Sequence, residues 1–140
     1  MAWEQQHSVG MDEIDAQHRY FFALLEQIEV ASKAHSERRF PFLLEELLRY
    51  TRFHFRSEEA LMESYCFVGD SHRREHENLL RQAEEMSSRT DVRPAALRLF
   101  MYKWIVNHIQ LEDMELAKFV SSKRRELRNA VAALVPPTKP

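Results

Sequence analysis

Hydrophobic residues recur at three- and four-residue intervals through four long stretches of the chain, the period of one face of an α-helix. In the first stretch, from about Asp15 to His35, that face carries Ile14, His18, Phe21, Phe22, Leu25 and Ile28. Asp12 is placed as its N-cap, and Asp15 suits the positive end of the helix dipole. "SERRF" breaks the period, and Pro41 fits the first turn of a second helix expected over 41–65. Its inner face reads Leu44, Leu47, Leu48, Thr51, His54, Phe55, Glu58, Leu61 and Met62. After "CFVGD", a third segment from about Ser71 to Ser87 carries His72, His76, Leu79, Leu80, Ala83 and Met86. Thr90 or Asp91 is expected to cap a fourth helix with Pro94 in its first turn. Its stripe is Leu97, Phe100, Met101, Trp104, Ile105 and His108. "SSKRRELRNAVAALVPP" predicts a further short helix that the prolines stop.

Four amphipathic helices joined by short loops predict an all-α fold, an antiparallel up-down-up-down four-helix bundle. An N-terminal arm precedes it and a short C-terminal helix or extension follows. The 140 residues are expected to form one domain, with the bundle over about 12–118 and the extension over about 119–140. Only two glycines occur, Gly10 and Gly69, both where the period breaks, which argues against a sheet-rich fold. The net charge of −2 gives no polyelectrolyte signature, so nucleic acid is not expected as a partner. A single cysteine, Cys66, excludes an internal disulfide framework and fits a reducing compartment. No secretory-type start and no uncharged apolar run of about 20 residues is seen, so a cytoplasmic protein without membrane insertion is expected.

The stripes also carry residues that do not belong in an apolar core. His18, His54, His72, His76 and His108 fall on them, with Glu58 four residues after His54 and Asp113 five after His108. Glu59, one position round the helix from Glu58, is expected to face solvent. Glu75 is likewise expected to point elsewhere around its helix, and His7 and His35 to lie on the surface. Either an HxxxH or an HxxxE pair alone is weak. Five imidazoles and two acids converging from four helices would leave a poorly satisfied core unless something binds them. Neutral imidazole and ionised carboxylate are good ligands for first-row transition metals. Seven are too many for one ion with an open position and suit two ions sharing carboxylates. In a regular helix the His108–Asp113 spacing turns the two side chains about 140° apart. A π-bulge near Ile109 to Glu112 is therefore predicted.

These residues resemble a known family. "SVGMDEIDAQH" ending at His18, "HFRSEEALM" from His54, "HRREH" from His72 and "WIVNHIQLEDM" from Trp104, with Trp3 before them, are similar to the hemerythrins and their single-domain bacterial members, the bacteriohemerythrins. The resemblance implies a non-haem di-iron centre with a bridging oxo or hydroxo group and dioxygen as ligand. His72, His76 and His108 would hold a coordinatively full iron. His18 and His54 would hold an iron with an open position, and Glu58 and Asp113 would bridge the two. Phe55, Trp104 and Ile105 are expected to line the open side as an apolar oxygen pocket, and Asp15 and Gln17 to accept from ligand imidazoles. The implied function is reversible dioxygen binding for storage, transport or delivery. No catalytic residues are assigned. An oxygen, redox or nitric-oxide sensing module acting through a partner is the alternative, and a di-iron oxidase or iron handling a minor one. The expected partners are dioxygen and an oxygen-consuming enzyme, with the chain a monomer. Two departures from the family's pattern touch the pocket: Leu116 stands where members often carry tyrosine, and the 65–71 loop looks one residue shorter.

Overall fold

The computed structural model describes residues 2–34, 38–89, 91 and 93–137, and among these it contains helices and no strand. The long helices are α1 (Asp12–Lys33), α2 (Phe40–Ser64), α3 (Asp70–Ser88), α4 (Pro94–His108) and α5 (Met114–Leu134). A short 3-10 turn over Gln5–His7 precedes α1. A π-helical turn over Ile109–Asp113 joins α4 to α5, so the fourth helix continues without a break into the C-terminal one. The expected short C-terminal helix is thus not a separate element. Nothing in "SSKRRELRNAVAAL" breaks helical geometry before the prolines, so the run simply continues.

Packing is a closed ring: α1 lies against α2 and α4, and α3 against the same two. The four stripes meet in one core in which Phe21, Phe22, Leu25, Ile28, Leu47, Met62, Leu79, Leu97 and Met101 are essentially solvent-free. Burying each of these large side chains contributes roughly 1.5–3 kcal/mol. Thr51, also on the inner face of α2, satisfies its hydroxyl by donating to Leu47 O at 2.7 Å.

The helix ends differ from the caps expected of them. Met11, not Asp12, is the N-cap of α1, and it makes no side-chain cap bond. Asp15 instead ties down the arm, accepting from Ser8 Oγ at 2.5 Å and from the Val9 N–H at 2.8 Å. Gly10, at φ +77°, provides the left-handed turn between that arm and the helix. Arg93 is the N-cap of α4; Asp91 pairs with Arg89, and Thr90 lies outside the described residues. His35 also lies outside them.

The loop after α2 closes as a Schellman motif. Cys66 sits in the left-handed region at φ 56°, its N–H donates to Glu63 O at 3.3 Å and the Phe67 N–H to Met62 O at 2.9 Å. Gly69 then begins α3 so close to Met62 that a Cβ there would meet Met62 Sδ at 2.5 Å. This tight turn sets where α3 enters the bundle, and with it the position of His72 one turn later.

Candidate metal centre

Helical register delivers the polar residues to one place. His18 comes from α1, His54 and Glu58 from successive turns of α2, His72 and His76 from successive turns of α3, and His108 from the end of α4. Asp113 closes the π turn, where the Met114 N–H reaches back five residues to Ile109 O. The additional residue in that turn brings Asp113 Oδ1 to 2.8 Å from His108 Nε2, as the spacing predicted. All seven side chains are buried, none more than 2% exposed.

Their donor atoms form two overlapping groups. Glu58, His72, His76, His108 and Asp113 make one; His18, His54, Glu58 and Asp113 make the other. Within each group, one atom from every residue lies within 4.8 Å of all the rest. Each carboxylate divides its oxygens between the groups. Glu58 Oε1 is 3.0 Å from His54 Nε2, while Oε2 is 3.1 Å from the Nε2 atoms of both His72 and His76. Asp113 Oδ2 is 2.8 Å from His18 Nε2, while Oδ1 is 3.0 Å from His72 Nε2.

Tautomers decide what this arrangement fits. His54 Nδ1 lies 2.6 Å from Gln17 Oε1, and His108 Nδ1 lies 3.1 Å from Glu75 Oε2; both partners only accept, so both Nδ1 atoms donate. In the neutral imidazole that leaves Nε2 as a bare lone pair aimed inward. Yet His108 Nε2 stands 2.9 Å from His72 Nε2 and 3.1 Å from His76 Nε2, with carboxylate oxygens beside them. His54 Nε2 and both Glu58 oxygens are buried without a hydrogen-bond partner. Wherever these Nε2 atoms carry lone pairs, the cage is an arrangement of acceptors facing acceptors, which calls for positive charge between them. Cations satisfy it. Three nitrogens and two shared carboxylates suit one first-row ion, and two nitrogens with the same carboxylates suit a second.

The electrostatics of the chain alone agree. Burial would depress the charged form of His54, but Glu58 and Asp113 override it and hold its pKa up at about 9. Burial opposes charge on His108 likewise, and Asp113 and Glu58 raise it to about 10. His72 is raised by the same acids against burial, whereas burial prevails at His76 and lowers it. Burial works against ionised Glu58 and Asp113 too, and the surrounding imidazoles nonetheless hold both well below the carboxylate range. The pocket therefore favours positive charge at its centre, carried by protons when nothing else is there.

Around the cage, Phe55 stacks on His76 at 3.7 Å between ring centroids and Trp104 on His108 at 4.3 Å. Both thus lie against imidazoles of the three-histidine group, and Phe55 also approaches His54 at 5.9 Å. Ile105 and Leu116 are buried, and Phe21 meets His54 edge-on at 5.3 Å. Gln17 Oε1 accepts from His54 Nδ1. Asp15 accepts from no ligand imidazole, because its carboxylate is engaged by Ser8 and Val9.

One expectation of solvent exposure fails and two hold only in part. Glu75 reaches across from α3 to His108, and Glu59 lies 3.5 Å from His76 Nδ1 with a side chain only one-third exposed. Sequence spacing gives position around one helix, not the rotation of one helix against the next, so no signal marked them. His7, outside the cage, is buried at 4% exposure; its Nδ1 accepts from the Glu4 N–H at 2.9 Å and its ring lies 4.8 Å from Phe22. The arm that carries it is a 3-10 turn, where helical periodicity offers no guide. Among the described residues no helix is long and apolar enough to cross a membrane.

The family model for the hemerythrin HHE cation binding domain matches residues 9–120, which span all seven cage residues. A bacteriohemerythrin of Stenotrophomonas maltophilia is 30% identical over 128 residues, covering 87% of this chain and 82% of that relative. A hemerythrin-like protein of Naegleria gruberi is 30% identical over 114 residues, covering 81% and 87%. Among solved structures, a wild-type hemerythrin superposes with a TM-score of 0.78 at 23% identity, covering 86% of this chain and 98% of that one. By the family model that matches residues 9–120 and by its likeness to relatives at 30% identity, this chain belongs to the hemerythrin family.

Proposed function

We propose that the chain binds dioxygen reversibly, for storage, transport or delivery, at a non-haem di-iron centre held by His18, His54, Glu58, His72, His76, His108 and Asp113. The observation that carries the reading is the inequality of the two groups around shared carboxylates: three imidazoles on one side, two on the other. The two-imidazole group offers one protein ligand fewer, which would leave its ion a position for a small exogenous molecule. Relatives named bacteriohemerythrin support the same reading. When bound, the iron pair supplies the reversible electron donation that holds dioxygen.

The protein's own residues do the rest. Glu58 and Asp113 would be shared by the two ions, and their negative charges would offset part of the ions' charge in a bundle interior that tolerates little. Imidazole-rich ligation donates less anionic charge than a carboxylate-rich site, which disfavours O–O cleavage and with it oxidase chemistry. Phe55 and Trp104 cover imidazoles of the three-histidine group rather than the open side expected of them. On the two-histidine side Phe21 and Phe55 pack against His54, so apolar bulk limits water there while a small neutral gas needs no polar contact to enter. Gln17 fixes the His54 ring through Nδ1, keeping Nε2 aimed at its ion.

The test is anaerobic loading with ferrous iron followed by air, watched by visible absorption. The expected result is two irons per chain and a band that appears with oxygen and disappears when oxygen is removed. A stoichiometry below two, or permanent bleaching on first exposure, overturns reversible binding.

A further inference from the structure

The hydrogen bonds outside the cage are unequal in kind. On the three-histidine side, His108 Nδ1 meets the Glu75 carboxylate at 3.1 Å, His76 Nδ1 meets Glu59 at 3.5 Å and His72 Nδ1 has no partner. On the two-histidine side, His54 Nδ1 meets the neutral amide of Gln17 at 2.6 Å, and His18 Nδ1 has no partner. Charge is therefore supplied behind one group only. We infer that Glu75 is a positioning residue for the three-histidine ion, fixing the His108 ring from the neighbouring helix and making that ion's donor set the more electron-rich of the two. This rests on the di-iron reading above.

A carboxylate accepting from Nδ1–H draws that proton toward itself and shifts electron density to Nε2, which becomes the stronger donor. An amide oxygen in the same place orients the ring without supplying charge. A stronger donor favours the higher oxidation state of the metal. Glu75 also joins α3 to α4, so it fixes the ring of a ligand on one helix from the helix that carries the other two imidazoles of the group. Its own side chain is 44% exposed, so water can replace it on substitution without opening the core. Glu59 adds to the bias from α2, at a longer distance and with a side chain one-third exposed.

The experiment uses the full chain in three forms: wild type, Glu75→Ala and Glu75→Gln. Metal-free protein is titrated with cobalt(II), followed by heat and by the visible spectrum, and iron-loaded protein is titrated potentiometrically. Glu75→Ala is expected to weaken one of the two cobalt ions by roughly 10–100-fold and leave the other unchanged. Glu75→Gln restores the orientation and most of that affinity but not the charge. It is therefore expected to shift the oxidation equilibrium toward the ferrous state by about tenfold, which is about 59 mV for one electron. Gln17→Glu, which places charge behind the other group, is expected to shift the equilibrium the opposite way.

A purely structural Glu75 would lower the melting temperature of the metal-free protein and leave affinity per ion and potential alone; that result overturns the inference. So does equal loss of both ions. Wild-type protein that takes up no ion pair overturns the di-iron reading and this inference together. Wild type with two ions and indistinguishable Glu75 variants overturns the inference alone.

Discussion

The helical run from Pro94 to Leu134 passes through two very different environments. Up to Val120 its inner stripe is buried: Leu97, Met101, Ile105, Ile109, Leu116, Ala117 and Val120 are all nearly solvent-free. Beyond Arg124 the same spacing continues with Leu127, Val131 and Leu134, yet these are 59%, 61% and 82% exposed. Every described residue from Arg125 onward is exposed. The charge also changes. Residues 121–140 hold five basic side chains and one acidic, out of 20 and 22 in the chain, so the preceding 120 residues hold 15 and 21. The body therefore carries a net −6 and the tail +4. What the comparison teaches is that periodicity makes a helix, whereas neighbouring elements decide whether its apolar face is covered. Arg124 is the last anchor, paired with Glu13 at 2.8 Å and donating to the Tyr65 hydroxyl at 2.9 Å.

Substitutions on the two sides of that boundary test the contrast. The largest effect belongs inside. Glu58→Ala removes a bridge that both groups share, so both ions are expected to be lost, read by metal analysis after iron loading. His54→Ala is expected to lose the two-histidine ion and keep most of the other; equal loss would show that the bridges, not the imidazoles, govern assembly. Next comes the apolar core. Leu47→Ala is expected to destabilise by about 2–5 kcal/mol, measured by urea unfolding, because the surrounding bundle closes only partly on the cavity.

The pH dependence of metal-free protein comes third. His54 and His108 have folded pKa values of about 9 and about 10, above the ordinary 6.5. Their stabilisation is complete below that ordinary value and is lost as pH rises through 9 to 10. Glu58 and Asp113 have lowered values, so their stabilisation is present above the ordinary carboxylate range and lost in acid. The urea midpoint should therefore fall at both extremes, and a midpoint still rising from pH 8 to 10 contradicts the assignment. Cation uptake near neutrality should release protons, seen as a buffer-dependent heat. The smallest effect lies outside. Leu127→Ala and Leu134→Ala are expected to change stability by less than about 0.5 kcal/mol. A loss comparable to Leu47→Ala would mean that the tail is packed in solution.

How far the chain could be read from its letters follows the same boundary between one helix and its neighbours. The four helices were legible because each stripe is long and regular. The π turn was legible because His108 and Asp113, both placed in the cage, are five residues apart. The cap of α1 was not, because the chain enters through Met11 after the left-handed turn at Gly10, which puts Asp12 inside the first turn. Glu75 and Glu59 were not, because their reach depends on how α2, α3 and α4 are rotated about their axes. His7 was not, because a short 3-10 turn has no period from which to infer an inward side. Intra-helix order is written locally; what lies across a seam is not.

The π turn also redirects the chain beyond it. A segment holding one residue more than an ideal helix swings everything after it by about 100° around the axis. The insertion that brings Asp113 to bear also sets the bearing of the exposed tip some twenty residues later. Deleting Gln110 would unhook the carboxylate and spin the C-terminal spur in a single stroke, so a backbone irregularity at the centre acts as the compass for the far end.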